Sequence, residues 1–552
     1  MSKPDGVTLQ KKPLNEVSYG QDSSRKSASV SGYVTSGLCA GLPRVTSVKT
    51  APGFCLGVLD AGLGLVKPRY ALQIDARRIL LTEMGGWNAN LGQIYLLTLT
   101  NNKWERTSLL NARNASPETK CLLNLTHQLV KSPDGLIYLT SAECVASLDP
   151  SNEHLLDNLK IRMAHLPTDG LHNLKAITFD PQGNIYMNVG SRTDNCENET
   201  TDVCADTQGL EGRGVIRKYE KLPDGSYDTH HSIYSSGQRN SMALYWDDKN
   251  SELWTGENSR DYINRVDTNI NGLEHPGDEF NVVRQHAQLD WPYCYDFGTP
   301  SPEFGKADCT KFQKPNLLFP AHSAPLSFLM YTGTLFPTWY QNRLLISFHG
   351  NQDYGHRIVA YKRNDQLQPV GEPLSLVYGW DAKGSQAVGS PVGLTQAADG
   401  SVLIVEDNSQ KVLKLSYDAT DGNGTAVAEL KTGTDKADDS ELMQAFLRTQ
   451  KKRQDVFQKK LTGPSVSLFT QIQNKVIDQN CVACHGGLRY PGLQILMYDD
   501  IGNYKKLKDQ ILARIKGDGV PRMPPYGLPE TLKAQLIDLV ERWNTAGRPP
   551  PQ

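Results

Sequence analysis

The sequence predicts two folded domains: an all-β six-bladed β-propeller and a small all-α domain that follows it. Three observations lead to this prediction. A short sequence motif typical of a strand recurs six times before residue 417. After residue 417 the composition becomes rich in Gly, Thr and Asp, and beyond Ser465 the spacing of apolar residues is helical. A chain of 552 residues is also long enough for more than one domain.

Each copy of the recurring motif is a turn containing Asp, Asn or Gly, followed by three or four alternating apolar residues. Alternation with a period of two is typical of a β-strand. Six such units across about 370 residues favour a six-bladed propeller over a β-sandwich with insertions, because sandwich domains rarely run this long. The copies are residues 79–83, 136–139, 184–187, 251–254, 343–346 and 401–405, and residues 411–415 are the predicted closing strand.

The remaining parts of the chain follow from composition. Residues 1–41 are polar and are interpreted as a flexible N-terminal segment, which leaves 42–417 for the propeller. Residues 418–464 are interpreted as a linker with one predicted helix starting near Ser440. Residues 465–552 form the predicted all-α domain.

Eight of the ten cysteines fall into neighbouring couples, and the other two belong to a motif near the C-terminus. An even number in short-range couples favours disulfides, which persist in oxidising compartments. Buried free thiols or a metal site are the alternatives, although no couple has the Cys-x-x-Cys spacing of a zinc ribbon. The couples are Cys39 with Cys55, Cys121 with Cys144, Cys196 with Cys204, and Cys294 with Cys309.

Charge and hydropathy exclude some functions. The net charge of −2 creates no global field for nucleic acid or an anionic membrane. No apolar run approaches the roughly 18 residues of a membrane span. An exported protein should start with a basic and then an apolar segment, which residues 1–41 lack. We nevertheless expect a periplasmic protein whose signal peptide is missing from this sequence, because c-type haem, for which a motif is described next, is normally attached outside the cytoplasm. The alternative is that the expected compartment is wrong.

The motif Cys481-Val482-Ala483-Cys484-His485 predicts a covalently attached haem c. Cys481 and Cys484 would form the thioethers and His485 would ligate the iron. A redox dithiol or half a zinc site is the alternative reading of the Cys-x-x-Cys spacing. We choose Met523, between Arg522 and two prolines, as the sixth iron ligand, with Met497 as its competitor. Residues 465–550 resemble the small cytochrome c domains that are fused to bacterial dehydrogenases.

Polar residues cluster in the loops between the predicted blades. They place a base, a fixed cation and oxygen ligands where propeller loops converge, whereas the chain has no Gly-x-Gly-x-x-Gly motif for a Rossmann-bound nucleotide. The clusters are His172-Asn173, Gln238-Arg239-Asn240, Glu257-Asn258-Ser259-Arg260-Asp261 and Gly277-Asp278-Glu279-Phe280-Asn281.

Together with Trp291-Pro292-Tyr293-Cys294-Tyr295, these motifs resemble the glucose/sorbosone dehydrogenases over about residues 55–417, with the L-sorbosone dehydrogenase-like branch nearest. The resemblance implies a six-bladed propeller that uses pyrroloquinoline quinone (PQQ) and calcium. It implies that His172 is the general base, that Arg239 lies beside the quinone oxygens, and that Asn240 hydrogen-bonds the same edge. It also implies that calcium is bound by the backbone carbonyls of Ser259 and Arg260.

Two positions depart from the family pattern. Ser390 stands where family members have an arginine that binds a cofactor carboxylate, and Asp290 replaces the usual glycine before Trp291. Four side chains are candidates to compensate for the missing arginine, and the sequence does not choose among them: Arg69, His349, Arg357 and Lys383.

The resemblance and the haem motif together imply a periplasmic quinohaemoprotein dehydrogenase. It would oxidise a sugar or alcohol hydroxyl, or an aldehyde hydrate, at PQQ. Electrons would leave through the fused haem to an external cytochrome or respiratory acceptor. One alternative is a cofactor-less propeller that binds a ligand or protein beside an electron-transfer cytochrome. Another is a haem-only electron carrier with a structural propeller.

Overall fold

The computed structural model describes residues 30–418 except 36, 46–47, 89, 197–202, 351–353, 367 and 381–388, and beyond them Ile537 alone. Within this range the chain forms strands joined by loops and short 3-10 turns. The described residues form six sheets of four to six strands, in which almost all neighbouring strands are antiparallel, and one separate two-stranded sheet. The six larger sheets confirm the predicted six-bladed propeller. The 3-10 turns are Gly37–Cys39, Lys120–Leu123, Leu155–Asn158, Ala205–Thr207, Ile263–Arg265, Pro302–Phe304 and Cys309–Lys311.

Four strands precede the first complete blade. They are β1 (Val30–Tyr33), β2 (Pro43–Val45), β3 (Lys49–Thr50) and β4 (Phe54–Asp60). β1 lies within the segment 1–41 that the sequence analysis interpreted as flexible, and it pairs with β2.

Blades one to three are built from consecutive strands. Blade one contains β5 (Pro68–Asp75), β6 (Arg78–Glu83), β7 (Gln93–Thr100) and β8 (Lys103–Leu110). Blade two contains β9 (Leu129–Lys131), β10 (Ile137–Thr140), β11 (Val145–Leu148) and β12 (Lys160–Met163). Blade three contains β13 (Ile177–Phe179), β14 (Ile185–Val189), β15 (Val215–Tyr219) and β16 (Ser232–Ser236).

Blades four to six complete the ring. Blade four contains β17 (Ser241–Asp247), β18 (Glu252–Glu257), β19 (Gly277–Val283) and β23 (Leu317–Ala321). Between β19 and β23 the chain forms three short strands outside this sheet: β20 (Ala287–Gln288), which pairs with β16 of blade three, and β21 (Cys294–Tyr295) and β22 (Thr299–Pro300), which pair with each other. Blade five contains β24 (Pro325–Met330), β25 (Leu344–Phe348), β26 (Arg357–Arg363) and β27 (Pro369–Tyr378). Blade six contains β28 (Pro391–Gln396), β29 (Val402–Glu406) and β30 (Lys411–Tyr417).

The six predicted repeats are the second strands of the six blades, namely β6, β10, β14, β18, β25 and β29. These are central strands with a neighbour on each side, and β10, β14, β25 and β29 are buried along their whole length. The predicted closing strand is β30, which pairs with β4 in register Leu413↔Val58 and Leu415↔Leu56. An N-terminal strand therefore completes blade six and closes the ring.

The hydrophobic core lies between neighbouring blades. Trp254 and Phe280 of blade four pack in one cluster with Ile346 and Tyr361 of blade five. Tyr138 of blade two shares a cluster with blade three in the same way. Each blade thus buries both faces against its neighbours, because a propeller sheet packs face to face around the axis.

All four predicted cysteine couples are disulfides, which excludes free thiols and a metal site at these positions. Their Cα–Cα distances of 5.8 to 6.2 Å lie in the normal range for a disulfide. Cys39–Cys55 ties the N-terminal turn to β4. Cys196–Cys204 and Cys294–Cys309 each close a long loop beside the site described below.

The haem ligands Cys481, Cys484, His485 and Met523 lie outside the described residues, as does the linker. Among the residues that the structure describes, no helix has the length and apolar character of a membrane span.

Candidate active site at the mouth of the propeller

One end of the propeller carries nearly all the candidate residues, and we call it the mouth. In every blade the first strand starts at this end and the second strand finishes there, since neighbouring strands are antiparallel. Arg69 therefore lies at the start of β5, His172 and Arg239 come just before β13 and β17, and Asp407 follows β29. The topology brings together residues that are more than 300 positions apart in the sequence.

His172 is held by the end of the neighbouring strand in its blade. Its Nδ1 lies 3.0 Å from the Ser191 carbonyl oxygen and 2.9 Å from Ser191 Oγ. A carbonyl can only accept, so Nδ1 carries the proton and Nε2 keeps its lone pair. Burial and the nearby positive charge of Arg239 lower the pKa of His172 to about 3. His172 is therefore a neutral imidazole at physiological pH, as a general base must be.

Arg239 is fixed by oxygen atoms on every side. Its guanidinium donates to the carbonyls of Asn258 and Ser259 at 3.0 and 2.9 Å, and pairs with Asp194 at 2.7 Å and Asp261 at 3.1 Å. Burial alone would lower the pKa of Arg239, but Asp194 and Asp261 raise it above its ordinary value. The side chain is thus a permanent and immobile cation next to His172.

Asn240 lies beside His172 because the backbone at Gly190 passes close to both side chains. Its Oδ1 accepts from Asn188 Nδ2 at 3.2 Å. A Cβ built on Gly190 would lie 2.5 Å from His172 Cβ and 3.0 Å from Asn240 Oδ1. Only glycine at position 190 leaves room for His172 and Asn240 to stand side by side.

The predicted calcium ligands Ser259 and Arg260 lie in the loop that follows β18. The Ser259 carbonyl accepts from Arg239, and the Arg260 side chain pairs with Glu303 at 2.7 Å. Among the described residues, no group of three or more His, Cys, Asp or Glu side chains is arranged to hold a metal ion. A calcium ion here would therefore depend on the backbone carbonyls near Arg239, which are oxygen donors of the kind that calcium prefers.

A second group of charged residues occupies the side of the mouth formed by blades five, six and one. Its centre is Asp407, a buried carboxylate that the sequence analysis missed. Asp407 accepts from Arg69 at 2.9 Å, from His349 at 3.1 Å and from Lys67 at 3.4 Å. Burial alone would raise the pKa of Asp407, but His349, Lys67 and Arg69 hold it well below its usual range. One carboxylate thus gathers three basic side chains.

The structure shows how Ser390 fits at the position of the missing arginine. Ser390 Oγ lies 2.8 Å from His356 Nδ1 and accepts from Asn408 Nδ2 at 2.9 Å. Its carbonyl accepts from the Asp407 backbone at 3.1 Å. Ser390 therefore lies next to the basic side chains that surround Asp407. Blade six supplies no arginine here, and the basic side chains come from blade one (Lys67 and Arg69) and blade five (His349).

Two of the four candidates to replace that arginine, Arg69 and His349, meet at Asp407. Arg357 does not, because its guanidinium donates within blade five to the Gly355 carbonyl and to Ser375 Oγ. Lys383 lies outside the described residues. Lys67, which no sequence motif singled out, has a left-handed backbone and donates to Asn408 Oδ1 at 3.0 Å.

Asp290 faces two other buried carboxyl groups. Glu257, Glu279 and Asp290 line a narrow pocket together with Ser259 and Arg260. Burial raises the pKa of Asp290 to about 7, and burial together with Asp290 raises the pKa of Glu257 and Glu279 well above the usual range. Replacing the family glycine with Asp290 therefore adds a third carboxyl group to a buried acidic pair.

The pKa of a second histidine near the site is shifted in the opposite direction. His322 Nδ1 lies 3.6 Å from Asp261, and His322 Nε2 lies 2.6 Å from the Gly272 carbonyl. Burial alone would lower the pKa of His322, but Asp261 and Asp278 raise it above the ordinary value. The sequence analysis missed His322 because it stands alone between Ala321 and Ser323, without a polar cluster around it.

Comparison with known proteins agrees with this architecture. Residues 48–416 match the TrAA12-like family. A solved structure of carbohydrate-active enzyme family AA12 from Trichoderma reesei superposes with a TM-score of 0.52 at 20% identity, covering 70% of this chain and 100% of that one. The holo PQQ domain of a pyranose dehydrogenase from Coprinopsis cinerea has a TM-score of 0.50 at 18% identity, covering 68% of this chain and 98% of that one. At these identities the likeness to solved structures establishes the fold.

A curated relative, an uncharacterized protein from Borreliella burgdorferi, is 27% identical over 194 residues, which is 34% of this chain. The match spans about half of that relative, 49% of its length. The family match is far longer and includes all six blades. It covers more than half of the chain, from just before β3 to the end of β30, and the chain therefore belongs to the TrAA12-like family.

Proposed function

We propose that this protein is a PQQ-dependent dehydrogenase that oxidises a sugar or alcohol hydroxyl and passes the electrons to a haem c in its C-terminal segment. The observation that carries the proposal is the pairing of a neutral His172 with the fixed cation Arg239 at the mouth. The PQQ-binding domain from Coprinopsis cinerea shares this fold, and a calcium structure from Trichoderma reesei shares it as well.

His172 supplies the base. Its Nδ1 proton is engaged by Ser191, and no described residue hydrogen-bonds Nε2. Nε2 can therefore accept the proton of a substrate hydroxyl while the carbon that bears this hydroxyl loses a hydride. Arg239 stabilises negative charge that develops next to it, because it is already oriented and needs no reorganisation.

The charge distribution of the mouth fits PQQ, a quinone with three carboxylates. Lys67, Arg69 and His349 surround a single carboxylate, that of Asp407, so this side of the mouth keeps positive charge for an anionic group. Arg239 and Asn240 lie in the group with His172. When bound there, PQQ supplies a quinone that accepts the hydride, and the carbonyls of Ser259 and Arg260 would hold the accompanying calcium.

The haem c motif at residues 481–485 gives the electrons a path out of the site. Cys481 and Cys484 would bind the porphyrin, and His485 and Met523 would ligate the iron. Having donor and acceptor on one chain raises their effective concentration for each other. An external cytochrome or respiratory acceptor in the periplasm would then take the electrons.

Reconstitution tests the proposal directly. The full chain, produced with haem attached, is titrated with PQQ and calcium and then mixed with a panel of aldoses, polyols and secondary alcohols. We expect PQQ to bind and the haem absorbance to change to the reduced form with at least one substrate. No PQQ binding and no haem reduction would favour the cofactor-less binding module instead.

A further inference from the structure

Two loops at the mouth expose large apolar side chains around the His172 and Arg239 group. They are the loop 164–176 before β13 and the loop 258–276 after β18. Leu171, Tyr262 and Leu273 on these loops are between 56% and 64% exposed. We call these three side chains the apolar rim. Single exposed apolar residues are common, but several on adjacent loops indicate an interaction surface.

Residues 190–196, which follow β14, tie the two loops to one another, so the apolar rim is a fixed surface. The Leu171 N–H donates to the Arg192 carbonyl at 3.0 Å, and Arg192 pairs with Asp169 at 2.8 Å and Asp206 at 2.9 Å. Asp194 accepts from the Asp261 backbone at 2.8 Å. These bonds link the loop 164–176 to residues 190–196, and residues 190–196 to the loop 258–276.

We propose that the apolar rim is the docking surface for residues 465–552 of the same chain, the segment with the haem c motif. This inference rests on the proposed function, because only an electron acceptor must approach the quinone site. Leu171 is next to His172 in the sequence, and Tyr262 is next to Asp261, which pairs with Arg239. A segment on the apolar rim would therefore lie beside the reacting groups.

The chain has the length needed to reach the rim. β30 runs away from the mouth, and Asp418 bonds the Gly53 carbonyl at the opposite end of blade six. Forty-six residues, 419–464, connect this point to Ser465. A fully extended chain of that length spans at most about 150 Å, which sets the upper limit of its reach. A strand of seven residues, such as β30, spans only about 23 Å.

The charges of the two parts are complementary. Residues 30–418 contain 34 Lys and Arg against 42 Asp and Glu, whereas residues 465–552 contain 11 Lys and Arg against 8 Asp and Glu. Carboxylates on the rim loops are accessible, since the side chains of Asp169 and Asp261 are at least half exposed. Attraction between opposite charges would orient the segment, and the apolar rim would supply the contact.

Photo-crosslinking tests the docking without requiring activity. The photoreactive residue p-benzoylphenylalanine replaces Tyr262 in the full chain, and after irradiation the crosslinked peptides of the monomer and of any crosslinked dimer are identified by mass spectrometry. The matched control replaces Leu222, which is 39% exposed in the hairpin between β15 and β16 at the opposite end of the propeller. We expect peptides from 465–552 to crosslink to position 262 within the monomer, less at high salt, and not to position 222.

Three results would overturn the docking proposal: crosslinks of equal yield from position 222, crosslinks from position 262 to a second copy of the chain, or none to residues 465–552. A kinetic measurement separates this failure from failure of the proposed function. In the full chain loaded with PQQ and calcium, Tyr262→Asp with Leu273→Asp should slow haem reduction by about ten-fold or more. Turnover with a small dye acceptor and PQQ affinity should stay unchanged, as in Leu222→Asp.

If wild-type protein reduces neither dye nor haem with any substrate, the proposed function fails, even when the crosslink to position 262 is present. If dye turnover is normal and the double variant reduces its haem at the wild-type rate, the docking proposal alone fails.

Discussion

At the scale of single residues, the site separates two histidines that would titrate alike in water. His172 is desolvated next to the positive charge of Arg239, which favours its neutral form. His322 faces Asp261 and Asp278, which favours its charged form. Environments that push two pKa values apart are how a protein assigns the roles of base and cation at one pH.

Substitution of His172 tests its role as the base. We expect His172→Gln to lower turnover by about 10² to 10⁴, with PQQ affinity unchanged, because the glutamine cannot take up a proton. Since the pKa of His172 is lowered to about 3, wild-type kcat/KM should not fall between pH 8 and pH 5 through this residue. The pH–rate profile measures this. His230→Gln, at an exposed position, is the control, and an acid limb near pH 6.5 would contradict the assignment.

Asp290 makes a separate prediction about stability. Its pKa is raised to about 7 in the folded protein, so the folded state holds a proton that the unfolded state loses near pH 4. Stability contributed by the protonated form is therefore lost as pH rises from about 4 to about 7.

Asp290→Asn should reduce this loss and stabilise the protein at pH 8 by about 1 kcal/mol or more, the value of one pKa unit. Thermal unfolding at pH 5 and pH 8 compares the two proteins. Asp228→Asn, at a surface carboxylate, is the control. An equal pH dependence in Asp290→Asn and wild type would show that Asp290 is ionised in the fold.

At the scale of structural elements, the site depends on where strands end. β14 finishes at Val189, and Gly190 and Ser191 then meet the loop that carries His172. β29 finishes at Glu406, and Asp407 then gathers Lys67 and Arg69 from the start of blade one. The strands set the positions, and short side-chain bonds across neighbouring blades set the orientations.

Gly190→Ala should impair the site and spare the fold. Its φ is not in the left-handed region, so alanine fits the backbone, but the new Cβ would lie 2.5 Å from His172 Cβ. We expect a fall in turnover of about 10²-fold with a thermal midpoint within a few degrees of wild type. Gly305→Ala is the control, because its Cβ would meet only the Pro302 carbonyl oxygen, at an ordinary contact distance of 3.9 Å. Full activity in Gly190→Ala would mean that His172 tolerates displacement.

At the scale of the whole molecule, closure of the ring joins the N-terminal and C-terminal strands of the propeller, β4 and β30. β4 supplies the fourth strand of blade six, and Val58 and Leu59 are buried there. Because blade six then packs against blade one, Leu59 shares a hydrophobic cluster with Ala71 of β5. The position of Arg69 relative to Asp407 therefore depends on this closure.

A chain that starts at residue 62 should lose its cooperative thermal transition, because blade six would keep only three strands and an exposed edge. Circular dichroism during heating measures this. Co-expression with a peptide of residues 49–61 should restore the transition, whereas a peptide with the same residues in scrambled order should not. An unchanged midpoint in the shortened chain would show that the other five blades hold the ring.

The sequence by itself determined the blades, the disulfide couples and the blade-three and blade-four residues of the site. These follow from local signals: alternation within a strand, a turn before it, and polar runs such as Gln238-Arg239-Asn240. The tertiary structure alone decided the other side of the mouth. Asp407 joins Lys67, Arg69 and His349 only because closure of the ring brings blades five, six and one together, and a contact across more than 300 residues leaves no local pattern to read.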